Sequence, residues 1–600
     1  MSKKQNQSAV KLILRTMIIQ FTTTPIHITV FIFVVLLEAL GLTARAITTK
    51  QLFDTVAEAS LGNIEFMNCL VSVLIMGMVT IVQQFINGVK FFYWPVITDK
   101  ASGINKQKLF KKVQCLSPEV FEDTNFLDDL NKAQNGVEPL TTVSLFILNI
   151  IFFDVTYAIS MGGYLFYLNP ILIITLALAF IPALISQIVN MKIFTKLEKD
   201  SAPLRRQCDY YKKAICDREY YKETRVLGAF HYFYDLFQNT LSLLLRKQRN
   251  IEKKTTVIKV LLNIVTFMGM GLSTYLLFIS TMNGYISIGA FAAVFTTLGV
   301  VFDVMQSMMA WDVSGISRDM GKVYNFMNIM DYPERKGKTG IHDFSTGVVA
   351  DNINFRYPNK SQLAINEVSL TISEGETIAI VGENGSGKST LVRLLTGLYQ
   401  PCQGKVTIGG LDTKDITPEC IFKDISGVFQ NYQKYKMTLL DNVVISDVGK
   451  DIDEKYVYNV LQQAGFNYNK DDIKLDTLLS PEFGGVDLSG GQWQRLALAR
   501  GLYRQNNFIV LDEPTAAIDP IEEDKLFAQF KEMIKGKSAI IVTHRLGSTK
   551  LADRIIVMDK GRINDMGEHE QLLSKSGKYA EMWNAQAEWY QRDKAINIIN

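Results

Sequence analysis

Six apolar stretches, each long enough to cross roughly 30 Å of hydrocarbon at about 1.5 Å per helical residue, crowd the first half of this chain. They run from Pro25 to Ala46, Asn68 to Phe91, Val143 to Tyr167, Pro170 to Val189, Ile258 to Met282 and Ile288 to Trp311. In hydrocarbon every backbone N–H and C=O must be satisfied within the segment, so these stretches predict a six-helix polytopic domain in a lipid bilayer. The hydrophobic fraction of 48% and the charged fraction of 20% are ordinary only as averages, because the second half reads as a water-soluble unit.

Charge placement orients the bundle. The long connections after the second and fourth stretches carry Lys106, Lys108, Lys111 and Lys112, then Lys196, Lys199, Arg205, Arg206, Lys212, Lys213, Arg246, Lys247 and Arg249. The segment from Thr48 to Met67 holds only Lys50, and the links near Asn169 and from Asn283 to Ser287 hold no Lys or Arg. The positive-inside rule therefore predicts both basic connections, both termini and the whole second half on the cytoplasmic side of the cell membrane. A net charge of +3 is too small to indicate a nucleic-acid partner.

The apolar run ending near Ala44-Arg45-Ala46 resembles a secretory signal with its A-x-A site, but it exceeds the roughly 7–15 residues of such a core and further spans follow it. Before it, Val10, Ile13, Leu14, Met17 and Ile18 recur at helical spacing beside Lys11 and Arg15, predicting a short amphipathic helix on the inner leaflet. The basic connections are too long for turns and rich in helix formers, so they are expected to continue the spanning helices below the membrane. A short turn helix is expected in each, at Asn125 to Leu130 and Asp217 to Leu227. Three acids, Glu38, Asp154 and Asp303, fall inside predicted spans. Such carboxylates face a wet cavity, bond a neighbouring helix, or lie where the helix extends beyond the bilayer; the first case makes these three candidates for a cavity suited to a cationic substrate. The six cysteines show no CxxC spacing, so neither zinc nor a disulfide framework is suggested.

Polar residues from Asp331 to Lys338 read as a linker, dividing a membrane domain, 1–335, from a second domain, 336–600. From about Gly347, short β-branched runs alternate with helical segments, the pattern of a mostly parallel α/β sheet. Thr377 to Val381 reads as a buried strand, Gly382-Glu383-Asn384-Gly385-Ser386-Gly387-Lys388-Ser389-Thr390 as a phosphate loop, and Leu391, Leu394 and Leu395 as the start of a helix. This is G-x-x-x-x-G-K-[ST] in the strand–loop–helix setting it requires. Glycines let backbone N–H groups close around phosphates, Lys388 offsets their charge, and Ser389 is placed for Mg²⁺. Phe508 to Leu511 forms a second apolar strand ending in Asp512, expected to hold magnesium through water, and Glu513, expected to polarise the attacking water.

Leu488-Ser489-Gly490-Gly491-Gln492, followed by a helix from Trp493, makes the chain resemble the ABC exporters that fuse six spans to one ATPase domain. The resemblance covers nearly the whole chain. It implies ATP as substrate with Mg²⁺, adenine stacking on Tyr357, contact of Gln430 with magnesium, and γ-phosphate binding by His544. It implies further that Asp519 belongs to the loop crossing to a partner, and that Ser489 and the Gly491 N–H act on ATP held by a second ATPase domain. A lone chain is then a half-transporter. With every motif intact a homodimer is favoured, a heterodimer being the alternative. The runs Gln430 to Tyr435, Glu482 to Gly485 and Gln492-Trp493 are similar to those of bacterial lanthipeptide and bacteriocin exporters. That likeness implies export of a peptide or other amphipathic compound; lipid or multidrug export, and an ATP-driven importer or regulator, are the competing readings. About two dozen residues precede the first span, too few for a leader-trimming protease domain, so trimming is expected to fall to another enzyme.

Overall fold

Runs of Leu, Ile, Phe and Val with few turn signals form helices far longer than soluble domains use. A computed structural model describes residues 9–170, 173, 181, 185, 200–217, 219–338, 346–466, 473–513 and 529–586. Helices α1 (Ala9–Thr23), α2 (Pro25–Ser60) and α3 (Phe66–Gln114) open the chain. Helix α2 begins with Pro25 in the first turn, where the missing N–H costs nothing. The 49 residues of α3 reach roughly 70 Å, more than twice the hydrocarbon thickness, so the helix continues well beyond the bilayer.

After α4 (Thr124–Gln134), α5 (Val137–Asn149) passes through a π-helical turn at Ile150–Asp154 into α6 (Val155–Leu168). A short α7 (Tyr221–Val226) leads into α8 (Phe230–Met282). Helix α9 (Ile288–Ser307) then runs through a second π-turn, Met308–Val313, into α10 (Ser314–Met330). Five continuous helices among the described residues are long and apolar enough to cross a membrane: α2, α3, the run Val137–Leu168, α8 and the run Ile288–Met330. The expected span from Pro170 to Val189 lies, isolated positions apart, outside the described residues. The expected turn segment Asn125 to Leu130 falls within α4, and α7 lies within Asp217 to Leu227.

On α3 the large apolar side chains of Phe66, Leu70, Leu74, Met78, Ile81 and Phe85 point outward, a stripe that water would not tolerate and lipid or a partner helix would cover. Helix α1 turns Leu12, Thr16 and Gln20 inward and leaves Val10, Leu14 and Ile18 outside, an apolar outer face that matches a helix lying on a leaflet.

Internal packing separates two compact units, Met1–Lys112 with Asp128–Asp331, and Val113–Leu127 with Tyr332–Asn600. Within the second unit, the Arg335 N–H donates to the Cys115 carbonyl at 2.8 Å, and Phe126 meets Tyr332 edge-on at 5.1 Å. This unit holds two sheets. Strands β1 (Val348–Phe355), β2 (Ile365–Ile372), β4 (Gln403–Ile408) and β5 (Leu411–Asp412) pair antiparallel in the order β2-β1-β4-β5. Strands β3 (Thr377–Gly382), β6 (Ile425–Val428), β7 (Phe508–Asp512), β8 (Ser538–Val542), β9 (Arg554–Asp559) and β10 (Arg562–Gly567) follow the order β10-β9-β3-β8-β7-β6, parallel except at β10. All six residues of β3 are buried, which is why the strand reads as an unbroken apolar run and why its carboxyl end becomes a ligand-facing edge. All six cysteines are free thiols.

Candidate active site

Strands β3 and β7 flank β8, so the phosphate loop after β3 and the acids ending β7 open on the same sheet edge. The loop delivers into α11 (Lys388–Leu395), capped by Gly387 in a left-handed conformation at φ 104°. Gly382 has φ 149°, and a Cβ there would come within 2.4 Å of the Met558 carbonyl oxygen. Neither position accepts a side chain, so the loop backbone stays bare toward the cleft.

Lys388 folds over the loop, donating to the carbonyls of Gly382 at 2.9 Å and Glu383 at 3.0 Å. Burial lowers its pKa, against the pull of Glu513 and Asp512. Two acids and the bare loop thus define where a polyanion with its counter-cation belongs.

Glu513 leaves β7 at φ 48°, a costly conformation for a non-glycine residue, while its N–H donates to the Val542 carbonyl at 2.9 Å. The sharp exit aims the carboxylate into the cleft. There Gln430 Nε2 donates to Oε2 at 2.6 Å, and His544 Nε2 lies 2.6 Å from Oε1. Burial lowers the His544 pKa and Lys388 lowers it further, opposed by Glu513, so the imidazole is neutral at neutral pH and donates its Nε2–H. Asp512 lies deeper. Burial raises its pKa, as does Glu513, and its Oδ1 is enclosed without a hydrogen bond from the protein. An enclosed carboxylate oxygen beside the half-buried Ser389 is the donor set that a hard cation such as Mg²⁺ takes, so these residues fit the metal expected from the sequence.

The cleft has a volume of about 830 Å³ and is lined by Tyr357, Asn384, Gly385, Gly387, Lys388, Ser389, Thr390, Gln430, Glu513 and His544. The Tyr357 hydroxyl bonds Thr390 Oγ1 at 2.9 Å and accepts from Arg393 Nη1 at 3.3 Å. Arg393 in turn pairs with Glu122 at 3.1 Å, a partner that sequence reasoning missed because 271 residues separate the two.

The signature segment lies elsewhere. Ser489 caps α12 (Gly490–Tyr503) in a reciprocal box: the Gln492 N–H donates to Ser489 Oγ at 3.3 Å and the Ser489 N–H to Gln492 Oε1 at 2.8 Å. Leu488 anchors the segment by burial, whereas Ser489, Gly490 and Gly491 are exposed, and none of them lines the cleft. Glu383 is exposed and pairs with Lys578 at 3.3 Å, and Ser386 is buried behind the loop. Asp519 lies outside the described residues.

In the membrane unit, Glu38 is buried and accepts from Lys90 at 2.7 Å; Asp154 is buried on the first π-turn; Asp303 is exposed. The structure therefore does not gather the three acids on one surface. Lys90 and Asp312, which do neighbour Glu38 and Asp154, escaped notice because the first lies one residue inside the predicted end of an apolar run and the second one residue past the predicted end of another.

A phosphate-binding loop, a carboxylate held between glutamine and histidine, and a bundle of spanning helices in the same chain define an ATP-hydrolysing membrane transporter. Residues 365–516 match the family model described as ABC transporter, and residues 28–205 match the ABC transporter transmembrane region. The subtilin transport ATP-binding protein SpaT of Bacillus subtilis is 29% identical over 499 residues, 82% of this chain and 76% of that protein. The nisin transport ATP-binding protein NisT of Lactococcus lactis subsp. lactis is 30% identical over 370 residues, 60% of this chain and 62% of that one. The solved structure of a bacterial Atm1-family ABC exporter with ATP bound superposes with a TM-score of 0.77 at 22% identity, covering 94% of this chain and 99% of that one. The chain belongs to the ABC transporters, as a half-transporter that fuses a transmembrane region to its ATPase domain.

Proposed function

We propose that this half-transporter works as a homodimer in the cell membrane, its ATPase domain on the cytoplasmic side, and exports a peptide of the lanthipeptide or bacteriocin kind. The likeness to SpaT over 82% of the chain carries the peptide reading. The exposed signature segment, none of whose residues lines the cleft of its own domain, supports the dimer, in which Ser489 and the Gly491 N–H meet ATP held by the other chain. Basic connections between the spans support the cytoplasmic orientation.

In this reading Tyr357 stacks on adenine, the loop Gly382 to Ser389 and the α11 N-terminus bind the phosphates, and Thr390 holds the tyrosine hydroxyl. Lys388 releases its two carbonyl partners to meet the phosphate charge. Asp512, Ser389 and Gln430 are the residues that would hold Mg²⁺, which when bound neutralises charge on the phosphate oxygens. Glu513 takes the proton of the attacking water, with Gln430 and His544 fixing its two oxygens, and His544 also faces the γ-phosphate. Asp519 belongs to the loop that meets the partner domain.

The experiment is reconstitution in lipid vesicles with ATP and a panel of cationic peptides, lipids and dyes, measuring hydrolysis and accumulation inside inverted vesicles. Saturable accumulation of one peptide class supports the assignment. Accumulation of dyes or lipid translocation with no peptide response replaces it by the lipid or drug exporter reading, and hydrolysis without movement of any solute replaces it by a regulator.

A further inference from the structure

The membrane unit concentrates charge where charge is costly. Lys90 donates to Glu38 at 2.7 Å and lies 4.4 Å from the Phe153 ring centre, so this lysine and glutamate answer each other. Asp154 and Asp312 have no such answer: their carboxyls face each other at hydrogen-bonding range, and among the described residues neither forms an ion pair. The charge of Lys90 reaches both.

Each of the two sits on a π-helical turn, Ile150–Asp154 and Met308–Val313, and the two turns pack against each other. Such turns break the α-helical register at one point and concentrate at functional sites. Asn149 donates from Nδ2 to Asp312 Oδ2 at 2.8 Å, and the other atom of that amide is Oδ1. That amide oxygen and Asp154 Oδ2 are both enclosed and accept no hydrogen bond from the protein. Asn149 and Asp154 are 7% exposed and Asp312 is 6% exposed within a single chain, so a second copy is not needed to cover them.

Enclosed carboxylate and amide oxygens, with no thiolate or imidazole among them, are the donors a hard cation selects. Among the described residues no three His, Cys, Asp or Glu side chains gather as a multivalent metal would ask. Interrupted helices in the middle of membrane bundles hold sodium in other transport folds, there through backbone carbonyl oxygens. We propose that Asp154, Asp312 and Asn149 form a binding site for a monovalent alkali cation, which ties the run Val137–Leu168 to the run Ile288–Met330 at their π-turns.

The test uses the purified full-length chain in lipid nanodiscs without nucleotide, so it does not depend on the cargo. Binding of radiolabelled sodium is measured by scintillation proximity, and thermal unfolding is followed in sodium, potassium and choline chloride at equal ionic strength. Saturable binding and a higher Tm in an alkali salt than in choline are expected. Asp154→Asn and Asp312→Asn each weaken binding by at least about tenfold, since each removes charge from the ligand set, while the exposed Asp303→Asn leaves it unchanged. Equal melting in all three salts with no saturable binding in the wild-type chain overturns the site, even if a variant fails to fold. So does binding that survives in the Asp154→Asn/Asp312→Asn double variant. A Tm that follows pH and ignores the salt puts a shared proton between the carboxyls and overturns it as well.

Discussion

Glu513 is held at both oxygens, by Gln430 and by His544, and its backbone is strained into the left-handed region. Strain kept at one residue by two side chains and a strand exit points to chemistry at that residue rather than to packing. Glu513→Gln keeps the shape and the Gln430 side of the contact but cannot take a proton. It is expected to bind ATP near wild-type affinity and to lose about 10²–10⁴-fold in turnover, read from nucleotide binding and steady-state hydrolysis on one preparation. Gly382→Ala acts differently: its methyl would press on the Met558 carbonyl at φ 149°, destabilising the ATPase unit by about 1–3 kcal/mol and weakening nucleotide binding before turnover. Intact affinity with normal melting in that variant would contradict the cradle.

The His544 pKa, lowered by burial and by Lys388, sets the sign of a pH effect. Below its ordinary value near 6.5 the unfolded chain binds this proton more readily than the folded one, so the imidazole contributes a loss of stability as pH falls through that range and nothing above it. The acid limb of the ATPase profile is accordingly expected below 6.5, and His544→Gln should remove that limb along with most activity. A limb above 6.5 in the wild-type chain would contradict a neutral, donating imidazole. These side chains were legible as a sequence because each ends a strand or opens a helix. The bonds that Tyr357 makes to Thr390 and Arg393, and Arg393 to Glu122, were not, since bonds across tens or hundreds of residues leave no local pattern.

Among the elements, α12 carries a helix cap at the residue that has a second role in the proposed dimer. The Ser489–Gln492 box satisfies N–H groups at the helix start, a contribution of about 1 kcal/mol that Ser489→Ala removes. If Ser489 were only a cap, hydrolysis would fall no further than this small destabilisation explains. In the proposed dimer its hydroxyl also serves ATP on the other domain, and turnover is then expected to fall at least tenfold at temperatures where the unit remains folded. Melting curves and hydrolysis measured on the same sample separate the two. The strands were readable from their β-branched runs, β3 most of all. The π-turns were not, because Asn149 to Asp154 looks helical at every position and only the i→i+5 backbone bonding of the folded chain marks the extra residue.

For the whole molecule, the decisive feature is a complete cleft and a complete signature segment in one chain that do not meet. Chains carrying Lys388→Ala lack a phosphate ligand but keep Ser489, and chains carrying Ser489→Ala have the reverse defect. Neither alone should hydrolyse ATP well. Mixed before reconstitution, they form one dimer arrangement with an intact loop facing an intact signature, so activity is expected to return to a fraction of wild type. No recovery on mixing, with dimers verified by crosslinking, would count against shared sites.

The sequence by itself determined the two-part plan: apolar runs longer than a soluble core can use require a membrane, and Gly382 to Thr390 with Asp512 and Glu513 require a phosphate site. These are local signals, set by solvent and by backbone conformation. The tertiary structure alone decided what each carboxylate does. Glu38, Asp154 and Asp303 are alike as intramembrane acids, yet one answers Lys90, one meets Asp312 across paired π-turns and one stays exposed. Charge is judged by its surroundings, and those come from helices far apart along the chain.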